Sequence, residues 1–212
     1  MLNHLLLDAF AIIKRHKGAF IALNVAYFGL AVISMIVTLH HPELKTTFQS
    51  SIDQGYAKPG LFKTVADAYV HRELLPAITL TFLVNLVVAS FGMTTLPSFV
   101  VPFAGIFVQL YRAFQWGVTF APIGPLRMTL IPHSLTLLIE GEAYVLAALA
   151  AYVQARKFLW PRHYRRDSHL AGYKAGAIST ARLYVLIALV LLVAAIYEVI
   201  ESVYLMPLFL SS

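Results

Sequence analysis

Long apolar runs separated by short polar stretches set the pattern of this chain. Five runs stand out: Gly18 to Leu39, Leu75 to Met93, Leu96 to Phe120, Leu130 to Val153 and Leu183 to Met206. Each is near or above the roughly 20 residues that a helix needs to cross the hydrocarbon core of a bilayer. The first two carry no charge. The second and third are separated only by Thr94-Thr95-Leu96-Pro97, which predicts a tight helical hairpin. The expected fold is all-α: one polytopic bundle of five transmembrane helices spanning residues 1–212.

Shorter patterns fill the gaps between the runs. Leu2, Leu5, Leu6, Ala9, Phe10 and Ile13 recur at helical spacing, so residues 1–17 are expected to form an interfacial helix or one packed on the spans. In the loop from 40 to 74, Leu61, Phe62, Val65, Ala66, Tyr69 and Val70 share a helical face behind Pro59, which suits a helix start. Residues 154–182 form a basic segment expected to hold a short helix.

Composition agrees with the pattern. The chain of 212 residues is 59% hydrophobic and 12% charged, and its mean hydropathy is +0.75. Soluble domains carry about twice that charged fraction. The excess apolar surface calls for lipid. Lys and Arg then set the orientation. Lys14, Arg15 and Lys17 precede the first run, and Arg156, Lys157, Arg162, Arg165, Arg166, Lys174 and Arg182 lie between the fourth and fifth. Five spans put these two groups on one side, so the N-terminus is expected in the cytoplasm and the C-terminus outside. The first run is too long for a cleavable signal and is followed by His40-His41-Pro42-Glu43. The pI of about 9.6 reflects the basic clusters, which favour anionic lipid. No basic reading surface for nucleic acid is evident. The absence of cysteine excludes disulfides, thiolate metal sites and a cysteine nucleophile.

The candidate chemistry lies inside the runs. Glu140, Glu142, Glu198, Glu201 and Arg112 are ionisable groups at membrane depth. Each costs about 2.5–3.5 kcal/mol even on the lenient insertion scale, so each must be paired, protonated or turned to water or a partner. Glu140 follows His133 by about two helical turns and shares its face, and Tyr144 continues that face. Glu142 points about 200° away. Glu201 lies near the outer boundary, where water can solvate it. Ala143, Ala147, Ala151 and Ala155 form a small-residue stripe suited to close helix packing. Arg112 is expected within direct or one-water contact of Glu140 or Glu198, with Asn85 adding a hydrogen bond and Gln109 and Gln115 on neighbouring turns. The candidate polar centre is therefore Asn85, Arg112, His133, Glu140 and Glu198. Three roles fit it: an interhelical lock, a substrate or proton path, or a contact surface for another membrane subunit.

Familiar catalytic patterns are missing. His133 and Glu140 do not make a His-Glu-x-x-His zinc motif, and no Walker-type phosphate loop occurs. No Gly-x-Ser-x-Gly elbow is present. Ser134 beside His133 diverges by about 100° on a helix and makes a poor dyad. No catalytic residue, metal or cofactor is expected.

Pro132-His133, then Glu140, Ala143 and Ala147, then Ala194, Ala195 and Glu198, resemble the stage II sporulation protein M (SpoIIM-like) family of integral membrane proteins. Asn85 fits the family's preference for asparagine in that span. The resemblance covers Leu75 to Pro207. It departs from the family in Ser134, where His-Gly is usual, and in Glu140, which lies three residues further on. The sporulation member acts in a membrane assembly with a peptidoglycan-degrading partner. The resemblance thus implies a multi-pass, non-enzymatic subunit of a bacterial or archaeal cytoplasmic membrane. Its partners would be the lipid bilayer and other membrane proteins or a second copy of itself, and its role scaffolding or anchoring. The alternative is a transporter or permease subunit that uses the Arg/Glu centre for anion binding or proton coupling.

Overall fold

A computed structural model describes residues 2–124 and 127–210. All regular structure among them is helical. Helix α1 (Leu2–Arg15) leads into α2 (Lys17–His40), α3 (Glu43–Ala57) and α4 (Leu61–Val70). Next come α5 (Leu74–Leu83), a π-helical stretch over Val84–Thr95, α6 (Leu96–Val100) and α7 (Ala104–Thr119). Helices α8 (Leu130–Leu159) and α9 (His169–Ile200) follow, and a second π-helical stretch, Glu201–Leu205, joins α9 to α10 (Met206–Leu210). Four stretches are long and apolar enough to cross a membrane: Lys17–His40, Leu74–Val100, Arg127–Leu159 and His169–Leu210. This fits an integral membrane protein.

Helix α8 is the axis. Its best apolar window is 72% buried, against 17% for α2. The reason is visible in its residues. Ala143, Ala147, Ala151 and Ala155, the expected stripe, are all buried, and so are Ala148 and Ala150. Small side chains let neighbouring backbones close in from several directions. Helix α9 approaches most tightly: a Cβ on Gly172 would lie 2.1 Å from the Lys157 carbonyl oxygen. Ser168 caps the start of α9, its Oγ accepting from the Ala171 amide at 3.2 Å. On α2 only one stripe is buried (Tyr27, Ala31, Ser34 and Thr38), while Ile21, Val25, Val32 and Ile36 face outward. That stripe meets α7, where a Cβ on Gly117 would lie 2.2 Å from the Ala31 carbonyl oxygen.

The hairpin turn is not at Thr94–Pro97. The helix runs on through those residues and turns at Val101–Phe103. Proline again decides the position, but it is Pro102. Pro97 sits in the first turn of α6, where proline is tolerated. Pro102 instead holds Val101 in extended backbone (φ −114°, ψ 109°), which ends α6. Phe103 then takes a left-handed conformation, φ 69°. Ser98 stitches the turn: its Oγ donates to the Thr94 carbonyl at 2.8 Å and accepts from the Gly105 amide at 2.7 Å. As a result the expected third run is divided, and α7 has 16 residues.

Other expectations shift in extent. Helices α8 and α9 extend into the basic segment, leaving only a short 3-10 turn, Pro161–Tyr164, between them. The loop from 40 to 74 holds α4 near its expected place and also α3, which the hydrophobic pattern does not announce. Lys45 on α3 donates to the Ala121 carbonyl at 2.8 Å and ties it to the end of α7. Helix α1 packs on the bundle: Ala9 is fully buried and Ile12 and Ile13 join the α8–α9 core, while Phe10 of the expected stripe is exposed. Asp8 pairs with Arg182 of α9 at 3.4 Å.

Candidate functional site

A cavity of about 520 Å³ lies beside the first half of α8. Every element around it contributes for a local reason. Helix α4 folds over it with Phe62, Val65, Ala66 and Tyr69. Leu61 and Val70, expected on the same face, are exposed instead. The π-helical stretch brings Asn85, Val88, Ala89 and Met93 to the wall. A π turn is wider than an α turn and recurs at functional sites. Helix α7 supplies Arg112 and Trp116, Phe120 follows at its end, α8 supplies His133 and Glu140, and α9 supplies Glu198. All five residues of the sequence-derived polar centre therefore line one cavity.

The contacts within it are organised by Tyr144. Its hydroxyl lies 2.5 Å from Glu140 Oε1 and 3.1 Å from Asn85 Oδ1, and accepts from Arg112 Nη1 at 3.3 Å. The single hydroxyl proton can serve only one of these two oxygens at a time. The Arg112 guanidinium also lies 4.6 Å from the centroid of the Tyr144 ring. A desolvated cation on an aromatic face gains up to about 2 kcal/mol. The expected Arg112–Glu140 contact is thus relayed by a tyrosine. Among the described residues, no ion pair joins Arg112 to Glu140 or Glu198. Arg112 Nη2 reaches Met93 Sδ at 3.9 Å, and Arg112 Nε is buried without a partner. Gln109 turns away from Arg112, its Nε2 donating to Thr94 Oγ1 at 2.5 Å.

Two glutamates one turn apart on the last membrane helix have different roles. Glu201 is fully buried, so the expectation that water solvates it is wrong. Its Oε1 is bonded to His133 Nδ1, and its Oε2 accepts from Thr136 Oγ1 at 2.5 Å. His133 and Thr136 stand three residues apart on α8, so both face the same neighbour. This fork fastens α8 to the end of α9, and the Tyr197 hydroxyl adds a bond to the Pro132 carbonyl at 3.1 Å. Phe120 covers His133, ring centroids 4.4 Å apart. Glu198 is different. It contacts the Tyr69 hydroxyl from α4, its Oε2 is buried without a partner, and it feels the charges of Glu140 and Glu201. The Tyr69 hydroxyl also lies 2.9 Å from Thr81 Oγ1.

The charge balance follows. Glu140, Glu198 and Glu201 face one guanidinium, Arg112, and one imidazole, His133. Even with His133 protonated the fully ionised centre is negative. That favours entry of a proton or a cation over an anion. Glu142 lies apart from the cavity, where the Asn24 side chain bonds it. Among the described residues, no group of three or more His, Asp or Glu is arranged to hold a metal ion. Tyr144 and Tyr69 were legible only as members of helical faces; neither could be assigned a partner from sequence.

No family model, curated protein or solved structure matches the chain. The likeness to the sporulation family therefore rests on its short motifs.

Proposed function

We propose that the chain is a transporter or permease subunit. It moves a small polar or cationic solute, or protons, through the cavity between Glu140 and Glu198. The observation that carries this reading is the cavity itself: about 520 Å³ of space reaching two carboxylates inside apolar helices. Ionisable groups at membrane depth face the bundle interior or a water-filled cavity and mark ion and substrate pathways. Glu201, with both oxygens engaged, is the fastening; Glu140 and Glu198 are the working pair.

The accompanying topology is five crossings with the basic end in the cytoplasm. Support for α7 as the fifth comes from its neighbours. Phe103, just before it, lies 6.1 Å from the Tyr152 ring, and Phe120, just after it, 4.4 Å from that of His133. Those two residues of α8 are separated by about 29 Å of helix, close to the thickness of a hydrocarbon core of about 30 Å. The Lys/Arg bias supports the orientation. Reporter fusions at the two termini test it: an N-terminus outside, or both termini on one side, overturns it.

Flux decides the function. The purified chain is reconstituted in liposomes containing a pH-sensitive dye, under an imposed potential. The expected result is proton-linked flux that Glu140→Gln and Glu198→Gln each reduce at least tenfold while the protein still folds. The scaffolding or anchoring role implied by the family resemblance is the competing proposal. No flux, together with a stoichiometric membrane partner that survives mild detergent, would replace transport with scaffolding. Neither proposal gives the chain a chemical reaction.

A further inference from the structure

At the other end of α8 lies a second cavity, about 550 Å³, lined by Arg15, His16, Arg156, His163, Tyr164 and Arg165. Among the described residues, no Asp or Glu lines it. Asp8, which lines a neighbouring cavity with Arg15 and His16, is paired with Arg182, and Asp167, two residues after Arg165, is exposed and does not line this one. Its walls come from separate parts of the chain: the end of α1, the last turns of α8, and the 3-10 turn after it. Aromatic rings and backbone geometry position them. Arg156 lies 5.0 Å from the Trp160 ring centroid and bonds the Tyr164 side chain, yet its Nε is buried without a partner. His16 meets Tyr152 edge-on at 6.0 Å and Tyr164 at 6.1 Å. Arg165 is held in left-handed backbone, φ 54°. This is the left-handed cap that ends the 3-10 turn, with the Arg165 amide donating to the Arg162 carbonyl and the Arg166 amide to the Pro161 carbonyl, each at 3.1 Å.

Like charges repel, so a pocket that gathers guanidiniums and imidazoles with no acid is stable only with an anion or ample water between them. The donors approach from three elements rather than in one plane. A carboxylate offers two oxygens, which one guanidinium fork satisfies; a phosphate offers oxygens on several sides, which suits converging guanidiniums. We propose that this cavity binds a phosphate group, supplied either by an anionic lipid headgroup or by a soluble phosphate. The exposed Trp160, stacked against Arg156, is the kind of side chain that sits at headgroup level.

The experiment uses the full chain in neutral detergent and follows its thermal midpoint. One arm adds inorganic phosphate; the other adds mixed micelles of phosphatidate, with phosphatidylcholine as the comparison. The altered protein carries Arg15→Gln and Arg165→Asn. Both sites are exposed, and asparagine tolerates left-handed backbone, so folding is retained. Arg127→Gln, outside the pocket, is the charge control. The expected result is protection by at least one probe, with half-saturation at least tenfold weaker in the double variant and unchanged in the control. Protection by phosphatidate alone makes the source a lipid; protection by inorganic phosphate as well makes it the phosphate group itself. Protection by neither probe, or equal protection of wild type and double variant, overturns the proposal.

Discussion

Two cavities of nearly equal volume, about 520 and 550 Å³, flank the same helix near opposite ends, and they handle charge by opposite rules. The one beside Glu140 holds carboxylates, and hydrogen-bonding side chains of the protein reach each of them: Tyr144 for Glu140, Tyr69 for Glu198, Thr136 and His133 for Glu201. The one beside Arg156 gathers cations and supplies no acid at all. Depth accounts for the difference. Among apolar helices a charge is costly to leave unpaired, so the fold brings partners to it. At the end of the bundle, solvent can screen like charges, so cations can gather there without an acid.

The sharpest way to break this comparison is at Glu201. Glu201→Ala leaves His133 and Thr136 facing an empty site and undoes the fastening between α8 and α9. Removing one member of a buried pair costs about 3–5 kcal/mol. The expected outcome is a large loss of folded yield in detergent, with Glu201→Gln less harmful because it still accepts from Thr136. Arg15→Gln at the opposite end is expected to be nearly neutral. Equal yields for Glu201→Ala and Arg15→Gln would end the depth argument.

Tyr144→Phe comes next. It keeps the ring that packs on Trp116 at 5.5 Å and carries the Arg112 guanidinium, but removes the hydroxyl shared by Glu140, Asn85 and Arg112. An unsatisfied buried acceptor costs about 1–3 kcal/mol. A thermal midpoint lowered in Tyr144→Phe, and lowered less when Glu140→Gln is added, supports the relay. Additive losses would mean that the hydroxyl and the carboxylate are not coupled.

The basic end depends on shape more than on pairing, and Gly172 tests that. A Cβ there meets the Lys157 backbone oxygen at 2.1 Å, which no rotamer change relieves. Gly172→Ala is expected to destabilise by about 1–3 kcal/mol through overpacking. Gly18→Ala, with nothing within 4 Å, is expected to be neutral or slightly stabilising. Equal midpoints for the two variants would show that α8 and α9 separate freely at this end.

How much of this was legible in the sequence follows from the same contrast. Apolar length located the long helices, and the four-residue alanine spacing marked α8 as the helix others approach. His133, Glu140 and Tyr144 were readable as one face because a helix repeats. Glu201 was misjudged because position along one helix gives depth but not what an antiparallel neighbour brings; the fork of His133 and Thr136 is a property of two helices. The hairpin turn lies later than Thr94–Pro97 because proline is tolerated in a first helical turn, as at Pro97, whereas Pro102 drives the residue before it out of helical backbone. The π-helical stretch that presents Asn85 leaves no periodic signature in so apolar a run. The basic pocket was hidden for another reason: its residues come from positions 15–16 and 156–165, and only the folding of α1 onto α9 brings them together.

The smallest expected effect concerns His16, and it measures the basic end from within. Burial, and then the neighbouring charges of Lys157, Arg15 and Arg156, hold this imidazole below its ordinary 6.5. The folded protein therefore binds fewer protons at His16 than the unfolded chain does. Stability from this group is present above about pH 6.5 and is lost as the pH falls through the lower folded value. The difference in thermal midpoint between wild type and His16→Gln, followed from pH 7.5 to 5.5, isolates it from the other histidines. Wild type is expected to lose ground relative to the variant as the solution is acidified. An anion seated among Arg15, Arg156 and Arg165 would reverse the local field and flatten that loss, so the slope should shrink when phosphate or phosphatidate is present. A wild type that gains on His16→Gln at low pH in plain neutral detergent would mean that the pocket is not electropositive at His16, and the contrast between the two ends of α8 would fail at its basic end.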